Sequence, residues 1–105
     1  MLRQMQYDKE QNLWSGQLHG DLDAVQAPKL VASMSASIEQ QPAHILLDCR
    51  QLDFVDSMGL GALVKLRKLL EGKGYTIKLI NLKPRIQKLF VITNLEHSFG
   101  IEVET

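Results

Sequence analysis

Apolar and polar residues alternate near the start of the chain, and the spacing of apolar residues then becomes helical. Two strand-like segments, 2–7 and 13–19, are separated by five polar residues, which is typical of a β-hairpin. In the second segment Trp14, Gly16 and Leu18 share one face, the two-residue period of a half-buried strand. The chain is therefore predicted to open with a hairpin at the edge of a sheet.

Apolar residues at three- and four-residue intervals predict three helices further along the chain. The first covers about 26–40 and carries Pro28 in its first turn, where a missing amide hydrogen costs little. The second covers about 57–72 and is closed by glycines, and the third opens at Pro84. The residues that define the three apolar stripes are Leu30, Val31, Met34 and Ile38; Leu60, Leu63, Val64, Leu66, Leu69 and Leu70; and Ile86, Leu89 and Phe90.

Two further strands are predicted between the helices. The segment 44–49 is an almost continuous apolar run, as expected of a strand that is covered on both faces, and 75–82 alternates as a strand does. The sequence also allows a last strand at Ile101–Glu104. The order β-β-α-β-α-β-α predicts one α/β domain over 1–105, with a mixed sheet of four to five strands and helices packed mainly on one face.

Composition and charge exclude several classes of function. The chain is 45% hydrophobic and 23% charged, which is ordinary for a globular domain. Twelve basic residues balance twelve acidic ones, so no basic field exists to hold nucleic acid. Apolar stretches end well before the roughly 20 residues of a membrane helix, and the first ten residues lack a signal-peptide core. We expect a soluble cytoplasmic protein with no membrane insertion.

The residue pattern indicates neither catalysis nor metal binding. The single cysteine, Cys49, ends the apolar run and is interpreted as buried rather than reactive. His19, His44 and His97 lie far apart, and no hydrolase nucleophile motif occurs. If Asp48 were the phosphoacceptor of a receiver domain, an acidic pair should follow the first strand to hold magnesium, and Met5-Gln6-Tyr7 offers none. We expect no catalytic residue, no metal and no organic cofactor.

The strongest candidate for a functional residue is Ser57, at the start of the second predicted helix. A helix N-terminus presents unpaired amide hydrogens and partial positive charge, which favour a phosphate group. Phosphorylation would add about −1.5 to −2 charges there. In the alternative interpretation, Asp56 or Ser57 is only an N-cap, worth about 1 kcal/mol of helix stability. The residues alone leave both interpretations open.

Three segments, in the same order along the chain, resemble elements of the STAS domain family. Segment 54–61 (FVDSMGLG) resembles the phosphorylation loop of its anti-sigma antagonists, typically Asp-Ser-Ser/Thr-Gly-Leu-Gly. Segment 18–23 is similar to the Leu-x-Gly-Glu-Leu-Asp element of that family, and 85–95 is similar to its Val-x-Arg/Lys-Leu-Phe-x-Leu-x-Gly-Leu ending. Met58 replaces the usual small hydroxyl residue, and Asn94 replaces a usual glycine, although asparagine also tolerates left-handed backbone.

The resemblance implies a non-enzymatic partner switch controlled at Ser57. The unmodified domain would bind an anti-sigma factor that is also an ATP-dependent serine kinase, phosphorylation would release it, and a serine phosphatase would restore binding. For Asp23, capping of the first helix is an equal alternative role. For the whole protein, the alternative function is a STAS interaction module in a sensory assembly or transport system. The residues implied for the phosphorylation loop and partner surface are Asp21, Asp23, Asp56, Met58, Gly59 and Leu60.

Overall fold

The computed structural model describes residues 1–101 and opens with the predicted hairpin. Strand β1 (Leu2–Asp8) pairs antiparallel with β2 (Leu13–Leu22). In the turn between them the Asp8 carboxylate accepts hydrogen bonds from the amides of Glu10 and Gln11, at 2.9 and 3.3 Å. The short polar segment between two alternating runs therefore folds as the sequence predicts.

The order of elements and the mixed sheet are also confirmed. The remaining elements are α1 (Gln26–Gln40), β3 (His44–Val55), α2 (Ser57–Glu71), β4 (Ile77–Ile80) and α3 (Pro84–Ile92). Within residues 1–101 the sheet has four strands in the order β1-β2-β3-β4, with β2, β3 and β4 parallel to one another. Ile101 is buried, whereas the rest of the predicted last strand lies outside the described residues.

The core lies on one face of the sheet only. Leu18, Leu47 and Leu79 are at most 2% exposed, and they form one cluster with the buried residues of all three helices. On the opposite face Leu46 and Asp48 stay half-buried. The prediction that 44–49 is covered on both faces is therefore wrong, because the helices all pack against the same side.

The helical stripes are confirmed except at one position. The buried residues of α2 are Gly59, Ala62, Leu63, Leu66 and Leu70. Leu69 was predicted to belong to the stripe but is 39% exposed, because it lies at the margin of the helical face that these residues define. None of the helices within residues 1–101 is long and apolar enough to cross a membrane.

Strand β3 runs past Cys49 to Val55, further than its apolar run predicts. Its pairing with β2 shifts register after Asp48, and Cys49 and Leu52 are both buried although they are three residues apart. This irregularity interrupts the two-residue period, so the second half of the strand has no recognisable pattern in the sequence. Because β3 extends to Val55, the chain passes directly from this strand to Asp56 and α2.

Left-handed residues end the last two helices. Gly74 has φ +83° after α2, and Asn94 has φ 57° after α3. After α3, the amide of Leu95 donates to the carbonyl of Phe90 at 2.8 Å, which closes the helix end. Asparagine therefore adopts the backbone conformation for which the family's ending usually has glycine, as expected.

Candidate functional site at the start of helix α2

The ends of two parallel strands form the base of the candidate site. Leu22 at the end of β2 pairs with Val55 at the end of β3, so both chains leave the sheet at the same edge. The amide of Asp56 then donates to the carbonyl of Leu22 at 3.2 Å. The β2–α1 turn and the start of α2 are therefore neighbours, although they lie about thirty residues apart in sequence.

Asp56 joins these two segments through its side chain. One carboxylate oxygen, Oδ1, accepts a hydrogen bond from the amide of Gly59 at 2.7 Å and caps α2. The other, Oδ2, accepts from the amide of Ala24 in the β2–α1 turn at 3.2 Å. A single half-buried carboxylate thus fixes the phosphorylation-loop candidate to the turn before α1.

Gly59 allows the helix to approach β2 closely. A Cβ atom at this position would lie 2.1 Å from the Leu22 carbonyl oxygen and 2.8 Å from the Leu22 Cγ, so another residue would force the backbone to move. Leu60 continues the turn, since its amide donates to the Asp56 carbonyl at 2.9 Å and its half-buried side chain packs on the core. Gly59 and Leu60 therefore hold the start of α2 against the end of β2 and the core.

Ser57 and Met58 are the exposed part of the loop. Ser57 is the first residue of α2, and in the described part of the chain its hydroxyl has no hydrogen-bond partner. Met58 is 58% exposed, so its large apolar side chain is open to contact by a partner. Because Asp56 performs the N-cap role, capping does not explain the serine that follows it.

Asp21 and Asp23 lie on the chain that leads into the same turn. Oδ1 of Asp23 accepts hydrogen bonds from the amides of Val25 and Gln26, at 3.1 and 3.0 Å, and so caps the entry to α1. Asp21 is exposed and pairs in register with Phe54. No hydrogen bond joins either carboxylate to Ser57 in residues 1–101, so what they can supply at the site is negative charge.

An apolar groove between α1 and α2 extends from Ser57, and sequence reasoning missed it. Its volume is about 490 Å³. Small residues at helix positions facing a neighbouring helix are the signal that could have identified it. Among the residues that line it are Ala27, Val31, Met58, Gly61, Ala62 and Lys65.

An ion pair holds the start of α3 to the end of β3. The Lys83 ammonium donates to the Asp53 carboxylate, and this hydrogen bond and charge hold the pKa of Asp53 below its ordinary value. Arg85 Nη2 donates to the Asp53 carbonyl at 3.2 Å. Both side chains of the ion pair are exposed, so the contact orients α3 more than it stabilises the fold.

Burial determines the chemistry of the single cysteine, Cys49. Cys49 is fully buried, and its burial, with the nearby charge of Asp48, raises the pKa of the thiol to about 12. No cluster of three His, Cys, Asp or Glu side chains suited to a metal ion occurs among residues 1–101.

Comparison with known proteins agrees with this geometry. Residues 6–105 match the family model of the STAS domain. The chain is 30% identical over 86 residues to the anti-sigma-B factor antagonist of Bacillus subtilis, covering 82% of this chain and 78% of that protein. Its fold matches the phosphorylated form of the Bacillus cell fate determinant SpoIIAA with a TM-score of 0.71 at 25% identity, over 99% of this chain and 93% of the other. A sulfate transporter family protein from Wolinella succinogenes shares the fold, with a TM-score of 0.72 at 18% identity over 85% and 72% of the two chains.

Proposed function

Because this chain belongs to the STAS domain family, we propose that it is an anti-sigma factor antagonist whose partner binding is switched by phosphorylation of Ser57. As a member of this family related to such antagonists, it is a binding protein and not an enzyme. The observation that carries the proposal is the state of Ser57, which is exposed with an unengaged hydroxyl while its neighbour Asp56 caps α2. A kinase can modify only a hydroxyl that it can reach. A capping hydroxyl would instead be bonded to an amide of α2, and Asp56 already fills that role.

Local electrostatics explain why a phosphate at Ser57 would break a complex. The Asp56 carboxylate already takes the amide of Gly59, and Asp21 and Asp23 add negative charge on the adjoining strand end and turn. A phosphate dianion would therefore meet a region that is already acidic, where the Gly59 amide, one of the donors at the helix start, is already taken by Asp56. Burying it under a partner without a matching cation would cost several kcal/mol.

The proposed cycle follows from this charge change. The unmodified protein binds an anti-sigma factor that is also an ATP-dependent serine kinase, and phosphorylated protein is released until a serine phosphatase restores Ser57. Because the kinase needs ATP, we place the cycle in the cytoplasm. Asp56, Gly59 and Leu60 would hold the loop in shape, and Met58 would contact the partner.

A role as an interaction module of a transport system is less well supported. The resemblance to the sulfate transporter family protein is at 18% identity and speaks for the fold alone. Relationship to an antagonist at 30% identity, over most of both chains, favours sigma-factor control.

Titration calorimetry with the purified anti-sigma factor kinase of the same host tests the proposal. Wild-type protein should bind and be released when ATP is added. Ser57→Ala should bind and stay bound with ATP, and Ser57→Asp should bind more weakly, though less so than phosphorylated protein, because a carboxylate carries about one charge. Release of Ser57→Ala by ATP as readily as wild type would rule out Ser57 as the switch.

The modification itself can be sought in the cell. Intact-mass analysis of the protein from its native host, followed by peptide mapping, should find a single phosphate on Ser57. A phosphate mapped only to another residue would contradict the proposal.

A further inference from the structure

The groove between α1 and α2 and the phosphorylation-loop candidate form one continuous surface. Ser57 and Met58 line the groove at its start, and Gly61 and Ala62 line it one turn further along α2. Ala27 and Val31 form the opposing wall on α1. A partner that covers the Ser57 hydroxyl must therefore also cover this apolar surface.

The groove has a distinctive charge pattern. Lys65 is the one charged residue among those that line it, it is exposed, and it makes no ion pair in the described part of the chain. Asp23 and Asp56 lie at the turns that precede the two helices, at the Ser57 end. The complementary surface is thus an apolar segment with a carboxylate about two helical turns beyond the point that faces Ser57.

We infer that Met58 and this groove determine which anti-sigma factor the protein accepts, by binding an apolar segment of that partner whose carboxylate pairs with Lys65. This inference rests on the proposed function and deepens it. Where related antagonists are expected to have a small hydroxyl residue, Met58 presents a large flexible side chain that needs an apolar surface opposite it. A partner shaped for a hydroxyl at this position would leave part of that surface uncovered.

Two matched pairs of variants test the inference against the same purified kinase by titration calorimetry. Met58→Ala should weaken binding about tenfold, which corresponds to about 1.4 kcal/mol, whereas Leu69→Ala, also exposed on α2 but outside the groove, should bind as wild type. Lys65→Gln should weaken binding about threefold and reduce its salt dependence, whereas Lys68→Gln should change neither. All four variants are also incubated with ATP to follow phosphorylation of Ser57.

The outcomes separate the two proposals. Wild-type affinity in Met58→Ala, with release by ATP intact, would overturn the groove and leave the switch standing. Loss of binding in Met58→Ala, combined with a wild-type complex that ATP does not release, would support the groove and overturn the switch. A wild-type protein that binds no anti-sigma factor kinase of its host would overturn both.

Discussion

At the scale of single residues, the aspartate that precedes the candidate serine explains how the start of α2 keeps a defined position. Asp56 binds one amide in its own helix and one in the turn before α1, so two distant parts of the chain share one carboxylate. The sequence identifies Asp56 as a cap candidate from its position before a helical stripe. The second hydrogen bond could not be predicted, because the approach of Ala24 depends on how β2 and β3 align.

Replacing Asp56 with alanine should lower the free energy of unfolding by about 1–2 kcal/mol, because α2 loses its N-cap and the β2–α1 turn loses the hydrogen bond from the Ala24 amide. Urea denaturation followed by circular dichroism measures the change. Asp21→Ala is the matched control, since the Asp21 carboxylate is exposed and makes no hydrogen bond in the described residues, and it should change stability by less than about 0.5 kcal/mol. Equal losses in the two variants would show that the hydrogen bonds of Asp56 do not stabilise the fold.

Cys49 should be unreactive in the folded protein. Because its pKa is raised to about 12, almost no thiolate exists at pH 7 or pH 9, and the side chain is fully buried. A chromogenic disulfide reagent should therefore titrate no thiol in buffer at either pH and one thiol in concentrated urea. Rapid reaction of the native protein at pH 9 would mean that β3 opens or that the thiol is accessible.

At the scale of elements, the accuracy of sequence reasoning depends on how regular the period of each element is. Helix α1 was predicted with its observed bounds, because its stripe is regular and Pro28 falls in the first turn. Strand β3 was predicted too short, because the register shift after Asp48 breaks the alternation. Helices mainly on one face of the sheet were predicted and are confirmed, whereas β3 was wrongly predicted to be covered on both faces, because Leu46 is apolar and a strand cannot indicate from its own residues whether a second layer covers it.

Two glycines of α2 should respond in opposite ways to the same substitution. Gly59→Ala should destabilise the protein by about 1–3 kcal/mol, because the new Cβ would collide with the Leu22 carbonyl. Gly61→Ala should stabilise it by about 0.5–1 kcal/mol, because no atom lies within 4 Å of the new Cβ and alanine favours the helix. Urea denaturation of both variants decides this, and a tolerated Gly59→Ala would show that α2 does not press against β2.

The two leucines Leu63 and Leu69 test which face of α2 packs on the sheet. Leu63 is fully buried, so Leu63→Asp should unfold the domain by burying an unpaired charge. Leu69→Asp adds the same charge at a side chain that is 39% exposed, and the protein should keep its fold with a modest drop in Tm. Thermal denaturation measures the Tm of both variants. A wild-type Tm for Leu63→Asp would contradict the packing of the Leu63 face of α2 on the sheet.

At the scale of the whole molecule, a single phosphorylation would dominate the net charge of the protein. The formal net charge is zero, so a phosphate that adds about −1.5 to −2 charges would supply nearly all of the net charge of the protein. The candidate serine lies on the surface, outside the core cluster of the sheet and helices. A phosphate there should therefore change what the protein binds and leave its fold intact.

The last prediction separates local charge at the loop from the net charge of the protein. Ser57→Asp and Gln6→Glu each add one negative charge, the first at the start of α2 and the second on the exposed side of edge strand β1. Both should lower the isoelectric point equally and leave the Tm within a few degrees of wild type, because neither site is buried. Only Ser57→Asp should weaken binding to the anti-sigma factor kinase, since the proposed switch acts through charge at the contact surface. Isoelectric focusing, thermal denaturation and titration calorimetry on the two variants measure the three quantities. An equal loss of affinity in Gln6→Glu would mean that overall charge, and not the position of Ser57, controls partner binding.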